Sequence, residues 1–186
     1  MKQVLICHAY KALPSENWYT WLAQALCARG YEAQVLELPS PLAPSEKEWV
    51  ECIGRSCTDD PVIFVGHSLG CRAILACIDQ HNVRAERVVL VGCPMFWEGI
   101  IETRPPLKAY VEGMQKLDFR NIKNLVGQFD IFHDTTDHIL PMKNVEYLKE
   151  MLGDKASVHI SNGYGHFDVA EVPESLLLFP EIKKGD

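Results

Sequence analysis

The stretch Pro61-Val62-Ile63-Phe64-Val65-Gly66-His67-Ser68-Leu69-Gly70-Cys71 constrains this chain more than any other. From Pro61 to Val65 every residue is apolar, and most are β-branched or aromatic. A strand reads this way when both of its faces are buried, as in the middle of a parallel sheet. A helix-like run, Cys71 to Ile78, begins directly after Gly70. Between the two, Gly66-His67-Ser68-Leu69-Gly70 fits G-x-S-x-G, the pattern of a sharp strand-to-helix turn that presents a strained serine. Glycines on either side let neighbouring backbone crowd in without Cβ clashes. The helix N-terminus just beyond offers N–H donors and a positive dipole end to an oxyanion. The plainer alternative is a turn whose serine merely caps the helix. A strand before and a helix after favour the elbow.

The rest of the chain alternates in the same way. Val4 to Cys7 reads as a first strand. Ser15 is placed to cap a helix from about Glu16 to Arg29, with Trp18, Trp21, Leu22, Ala25 and Leu26 on one face and Gly30 at its end. Ala33 to Leu38 forms a second strand. Ser45 with Glu48 makes a capping box for a helix carrying Trp49, Cys52 and Ile53. After the elbow helix, Arg87 to Gly92 is another buried strand. Cys93 to Pro106 is irregular and is the one segment placed to overhang a site. Helices are expected over Leu107–Leu117, punctuated by Gly113, and over Asp118–Leu125, a strand over Gly127–Phe132, a helix over Val145–Leu152, a strand over Ala156–Ile160 and a final helix over Glu174–Lys183, interrupted or ended near Pro180. About six parallel strands flanked by helices on both faces predict a single-domain α/β fold over residues 1–186, without a separate lid.

The totals narrow the function classes. The net charge is −7, with no Lys/Arg cluster, which argues against nucleic acid and anionic membrane surfaces. No apolar run approaches the ~18 residues of a transmembrane span. The Met1–His8 segment has too short an apolar run for a leader and no small-residue cleavage site, so it reads as strand. The seven cysteines, Cys7, Cys27, Cys52, Cys57, Cys71, Cys77 and Cys93, are odd in number and irregularly spaced. With no C-x-x-C pair or zinc spacing they predict a reduced, cytoplasmic protein, and the serine chemistry set out below is expected to need no metal or other cofactor. The sequence sets no oligomeric state.

A nucleophilic Ser68 needs a base, and the base needs an orienting carboxylate. In hydrolases built on this turn the order is Ser, Asp or Glu, then His, each in a loop after a strand. Asp134-Thr135-Thr136-Asp137-His138-Ile139-Leu140-Pro141 follows the fifth strand. Asp137 begins a D-x-x-x-P spacing and is favoured; Asp134, nearer the strand end, is the alternative. Gly163-Tyr164-Gly165-His166-Phe167 follows the sixth strand and presents His166 as the base. His133 and His138 lie too near the aspartates in sequence, His67 sits inside the turn, and His81 and His159 read as structural. The oxyanion donors expected are the backbone N–H of Leu69 and one from the first loop, Ala9 or Tyr10.

Taken together these residues resemble the small, lidless serine hydrolases that include the retinoblastoma-binding serine hydrolase and bacterial YdeN-like proteins. The matching landmarks are His8-Ala9-Tyr10, Asn17-Trp18-Tyr19-Thr20-Trp21-Leu22, Leu38-Pro39-Ser40-Pro41, Gly66 to Gly70, Asp137 with Leu140-Pro141, and Gly165-His166-Phe167. The resemblance implies a compact α/β-hydrolase core and a Ser68/Asp137/His166 triad. It departs from the group at Ala9, where His-Gly is common, and at His138, beside the expected acid. No L-x-C-x-E stretch occurs, so the retinoblastoma-binding role does not carry over. The expected activity is cleavage of ester-type acyl bonds in a small-molecule substrate. A thioesterase or peptidase would share the triad. The rival is a hydrolase-fold binding module with little turnover, for which the aromatic Pro94–Trp97 loop would be the partner surface.

Overall fold

The computed structural model describes residues 1–182. Its elements run β1 (Gln3–Cys7), α1 (Tyr19–Ala28), β2 (Glu32–Leu36), α2 (Glu46–Ser56), β3 (Val62–His67), α3 (Leu69–His81), β4 (Ala85–Val91), α4 (Ile100–Thr103), α5 (Lys108–Gly113), α6 (Phe119–Leu125), β5 (Val126–Asp134), α7 (Lys143–Leu152) and β6 (Ala156–Ser161). Short 3-10 turns cover Pro105–Leu107, Gly153–Lys155 and Pro173–Leu178. The six strands form one sheet in the order β2-β1-β3-β4-β5-β6, and every pairing is parallel.

The strand sequences explain the two-layered core. Successive side chains on a strand point to opposite faces. On β3, Val62 and Phe64 enter one cluster with α2, α3 and Tyr110, while Ile63 and Val65 enter the other with Trp18, Tyr19 and Leu22. β1 and β4 divide the same way, Leu5, Val88 and Leu90 to the first face and Val4, Ile6, Val89 and Val91 to the second. Both faces are covered, so neither set is polar and the strands read as continuous apolar runs.

Several boundaries differ from the sequence reading. α1 begins at Tyr19 rather than near Glu16, and Ser15 does not cap it. The Glu16 carboxylate instead accepts the Leu13 N–H at 2.7 Å, and Asn17 takes a left-handed φ of 51°, which stops the helix before Trp18. Trp18, Leu22 and Leu26 of the predicted stripe are buried, the first just ahead of the helix, and Tyr19 joins them. Ser45 occupies the N-cap of α2 in an extended conformation, but its hydroxyl makes no capping bond, so the expected box is not closed. The predicted 107–117 helix ends at Gly113. In place of a final helix over Glu174–Lys183 there is the 3-10 turn Pro173–Leu178; Lys183 lies outside the described residues. Pro180, which lacks an N–H and cannot extend a helix, follows closely. That tail docks on the connection between α1 and β2: Arg29 donates to the Phe179 carbonyl at 2.7 Å and Tyr31 to the Pro180 carbonyl at 3.0 Å.

Candidate active site

Ser68 stands between β3 and α3 with φ 50° and ψ −118°, a conformation L residues adopt only under constraint. Its N–H is tied to the Val91 carbonyl at 2.9 Å. Gly70 lets α3 pass directly over β1, since a Cβ there would collide with the Cys7 carbonyl and lie 2.7 Å from the His8 carbonyl oxygen. The turn is therefore fixed by close backbone contact, and Ser68 is presented at the carboxyl end of the sheet.

The structure brings Ser68, His166 and Asp137 together. His166 Nε2 lies 2.9 Å from Ser68 Oγ, and His166 Nδ1 lies 2.8 Å from Asp137 Oδ2. Asp137 is fully buried as a side chain and His166 nearly so. The other Asp137 oxygen accepts the N–H groups of Ile139 and Leu140 at 2.8 and 2.9 Å. Burial pushes this carboxyl up, but the bond to His166 and the two N–H donors outweigh it and hold it below the usual carboxylate range. Gly92, at φ +55°, leaves room for the pair: a Cβ there would sit 3.2 Å from His166 Cε1. The sequence reading missed Gly92; its place directly after a buried strand was the available signal.

Asp134 takes a different part. Its two oxygens accept from the N–H groups of Thr136, Gly163 and Tyr164 and from the hydroxyls of Thr136 and Ser161. Burial opposes its charge, yet these donors hold the carboxyl far below its ordinary value. Asp134 thus stitches the β5 loop to the loop that carries His166. His138 is exposed, and among the described residues it makes no hydrogen bond to Asp137.

His67 and Tyr19 form a second network beneath the first. His67 lies 2.7 Å by Nε2 from the His166 carbonyl oxygen and 2.6 Å by Nδ1 from the Tyr19 hydroxyl. A carbonyl only accepts, so Nε2 carries the proton; Nδ1 then accepts, and Tyr19 donates to it. Burial, together with the neighbouring His166, pushes the His67 pKa down to about 3, in keeping with this neutral form. The Tyr19 oxygen in turn accepts the Ala9 N–H at 3.1 Å. The chain of bonds runs from the first loop through α1 and the elbow to the backbone of His166. Tyr19 was absent from the predicted helix stripe because it falls outside the i, i+3, i+4, i+7, i+8 spacing counted from Trp18.

That network also separates the two first-loop candidates. Ala9 spends its N–H on Tyr19, while the N–H groups of Tyr10 and Leu69 have no partner among the described residues. Both residues line the cavity in front of Ser68, about 220 Å³ in volume. Its apolar walls include Pro94, Trp97, Ile100, Leu107 and Leu140. The Pro94–Trp97 loop packs inward: Asn144 Oδ1 accepts the Met95 and Phe96 N–H groups, and the Trp97 ring lies 6.3 Å from that of Tyr110. No group of three or more His, Cys, Asp or Glu placed to hold a metal occurs among the described residues, and no helix among them is long and apolar enough to cross a membrane.

A single parallel six-stranded sheet with helices on both faces, turning through a strained serine into the helix after its third strand, defines an α/β-hydrolase fold. The chain belongs to the serine hydrolase family, whose sequence model matches residues 4–176. It is 28% identical over 169 residues to the hydrolase YdeN of Bacillus subtilis strain 168, covering 89% of this chain and 86% of that protein. The crystal structure of the B. subtilis ydeN gene product superposes with a TM-score of 0.80 at 25% identity, covering 96% of each chain. Est1E from Butyrivibrio proteoclasticus shares the fold at a TM-score of 0.69 and 12% identity, over 89% of this chain and 80% of that one. The CarC serine hydrolase of carbazole degradation does so at 0.65 and 17%, over 95% and 88%.

Proposed function

We propose that this serine hydrolase cleaves ester-type acyl bonds of small molecules through a Ser68–His166–Asp137 triad and an acyl-enzyme. The observation that carries the reading is the continuous pair of contacts at His166, 2.9 Å to Ser68 Oγ and 2.8 Å to Asp137 Oδ2, beside a cavity lined by Ser68. His166 Nε2 takes the proton of Ser68 as Oγ attacks the acyl carbonyl. Asp137 accepts from Nδ1–H, keeps Nε2 free as the base and stabilises the imidazolium. The N–H groups of Leu69 and Tyr10 receive the oxyanion. The protonated His166 then gives its proton to the departing alcohol, and a water activated by the same nitrogen frees the acid. No step calls for a metal or cofactor.

The cavity is smaller than the ~300–1,000 Å³ of sites for drug-sized ligands, which supports a small substrate. The seven free cysteines support a reducing, cytoplasmic setting. A fluorophosphonate probe tests the assignment. Folded wild type is expected to be labelled at Ser68, and Ser68→Ala to lose labelling and about 10⁴- to 10⁶-fold in kcat on a short-chain ester. An unlabelled wild type, or turnover retained in Ser68→Ala, overturns it and returns the chain to a binding role.

A further inference from the structure

The cavity in front of Ser68 is lined by two cations, Lys11 and Arg104, and by a single carboxylate, Asp168. The chain as a whole carries a net charge of −7, so this local excess of positive charge runs against the molecule's average. Arg55, Arg72 and Arg87 each pair with a carboxylate. Arg104 is half-buried, and among the described residues no carboxylate lies within ion-pair distance of it. Among the described residues its guanidinium bonds the Thr103 hydroxyl alone, at 3.4 Å. The backbone holds it in place: its N–H donates to Ile100 at 2.8 Å, its carbonyl accepts from Leu107 at 2.9 Å, and Pro105 follows. Lys11 has no ion pair among the described residues either; its Nζ sits 5.2 Å from the centre of the Tyr10 ring, and its N–H is anchored to the Pro41 carbonyl at 3.0 Å. Partly desolvating a guanidinium without a counter-charge is unfavourable, and a carboxylate in its planar fork is the group that best relieves it.

We propose that the site takes an anionic substrate: a short ester that carries one free carboxylate besides its scissile carbonyl, the carboxylate docking at Arg104 with Lys11 beside it. The inference rests on the reading of Ser68 as the nucleophile. With Asp168 in the same lining, the net charge of the wall matches a single carboxylate rather than a polyanion. Each turnover consumes one water, breaks the acyl C–O bond and releases an alcohol, a carboxylate and one proton.

Proton release measured by pH-stat supplies the test. Two matched pairs place the charge on either side of the scissile bond: monoethyl glutarate against ethyl valerate, and 3-acetoxypropionate against propyl acetate. In at least one pair the anionic ester is expected to show kcat/KM on the order of tenfold higher or more. That ratio shrinks as ionic strength rises and falls towards one in the Arg104→Gln/Lys11→Gln double variant. No anionic preference in either pair at low salt, or a ratio unchanged in the double variant, overturns the inference. Calorimetric titration of Ser68→Ala protein with monoethyl glutarate and ethyl valerate keeps the two readings apart. Preferential binding of the anion supports the inference even where no ester turns over, in which case only the assignment of Ser68 falls. Equal binding, or none of the anion, overturns it and leaves Ser68 to the labelling experiment.

Discussion

At the scale of single residues, the candidate site is braced by side chains outside the Ser68 cavity. Through Tyr19 and His67 the backbone of His166 is tied to the N–H of Ala9, one residue before Tyr10, the proposed oxyanion donor, and we propose both as positioning residues. Tyr19→Phe removes one hydroxyl and leaves both the Ala9 N–H and His67 Nδ1 without a partner. Unsatisfied buried groups cost about 1–3 kcal/mol each. We expect kcat on a short-chain ester to fall on the order of tenfold with KM changed less than threefold, read from full saturation curves. A purely structural tyrosine would lower stability and leave kcat of the folded fraction unaltered. Ser68, Asp137 and His166 were legible in the sequence because each stands after a strand in a fixed order. Tyr19 and Gly92 were not, since their parts arise from what the fold brings beside them.

At the scale of elements, α2 and α3 are joined by a buried charge pair. Glu46, in the first turn of α2, meets Arg72 of α3 at 3.1 Å, and both side chains are almost wholly buried. The backbone of Gln115 completes the contact, its N–H donating to Glu46 and its carbonyl accepting from Arg72. Burial raises the Glu46 carboxyl, and the Arg72 charge and the Gln115 N–H pull it back only in part. Such a pair adds little net stability, but losing one partner strands the other. Glu46→Leu should therefore cost about 3–5 kcal/mol, and Glu46→Leu/Arg72→Met should recover most of it, both read from urea midpoints. Equal destabilisation in the single and double variants would count against this reading. The pairing was not legible, because Glu46 sits in a polar run, Ser45-Glu46-Lys47-Glu48, that reads as a solvated helix start. β3 was legible for the opposite reason: its burial on both faces leaves an uninterrupted apolar run. The final helix was expected to break near Pro180 and is instead a 3-10 turn, because the tail's bonds to Arg29 and Tyr31 run through backbone carbonyls that no side-chain pattern marks.

At the scale of the whole molecule, the buried histidines and the two site aspartates act in one direction, against the opposing shift at Glu46. Burial lowers the pKa of His8, His67 and His133, that of His67 to about 3. In the unfolded chain these rings take up protons near pH 6.5. Their neutral burial therefore costs nothing above that value and works against the fold progressively as pH falls towards their folded pKa values. Asp134 and Asp137 are held below the ordinary range, so their contribution is complete above about pH 4 and is lost as pH falls through their folded values. Unfolding free energy is expected to decline from pH 7 to pH 4 by up to about 1.4 kcal/mol per pH unit for each group in play. His67→Gln should flatten that slope in pH-resolved urea titrations, whereas a flat wild-type profile would contradict it. The sheet order has a further consequence. β6 is an edge strand bonded only to β5, with Val158 and Ile160 exposed, yet the loop after it carries His166, whereas Ser68 rides on β3 in the interior. Edge elements open at lower free energy than interior ones. On stepwise urea addition, ester turnover should fade before far-UV ellipticity does, and β6 amides should exchange with solvent ahead of β3 amides. Activity is then expected to be lost on heating by detachment of one strand, below the temperature at which the core melts.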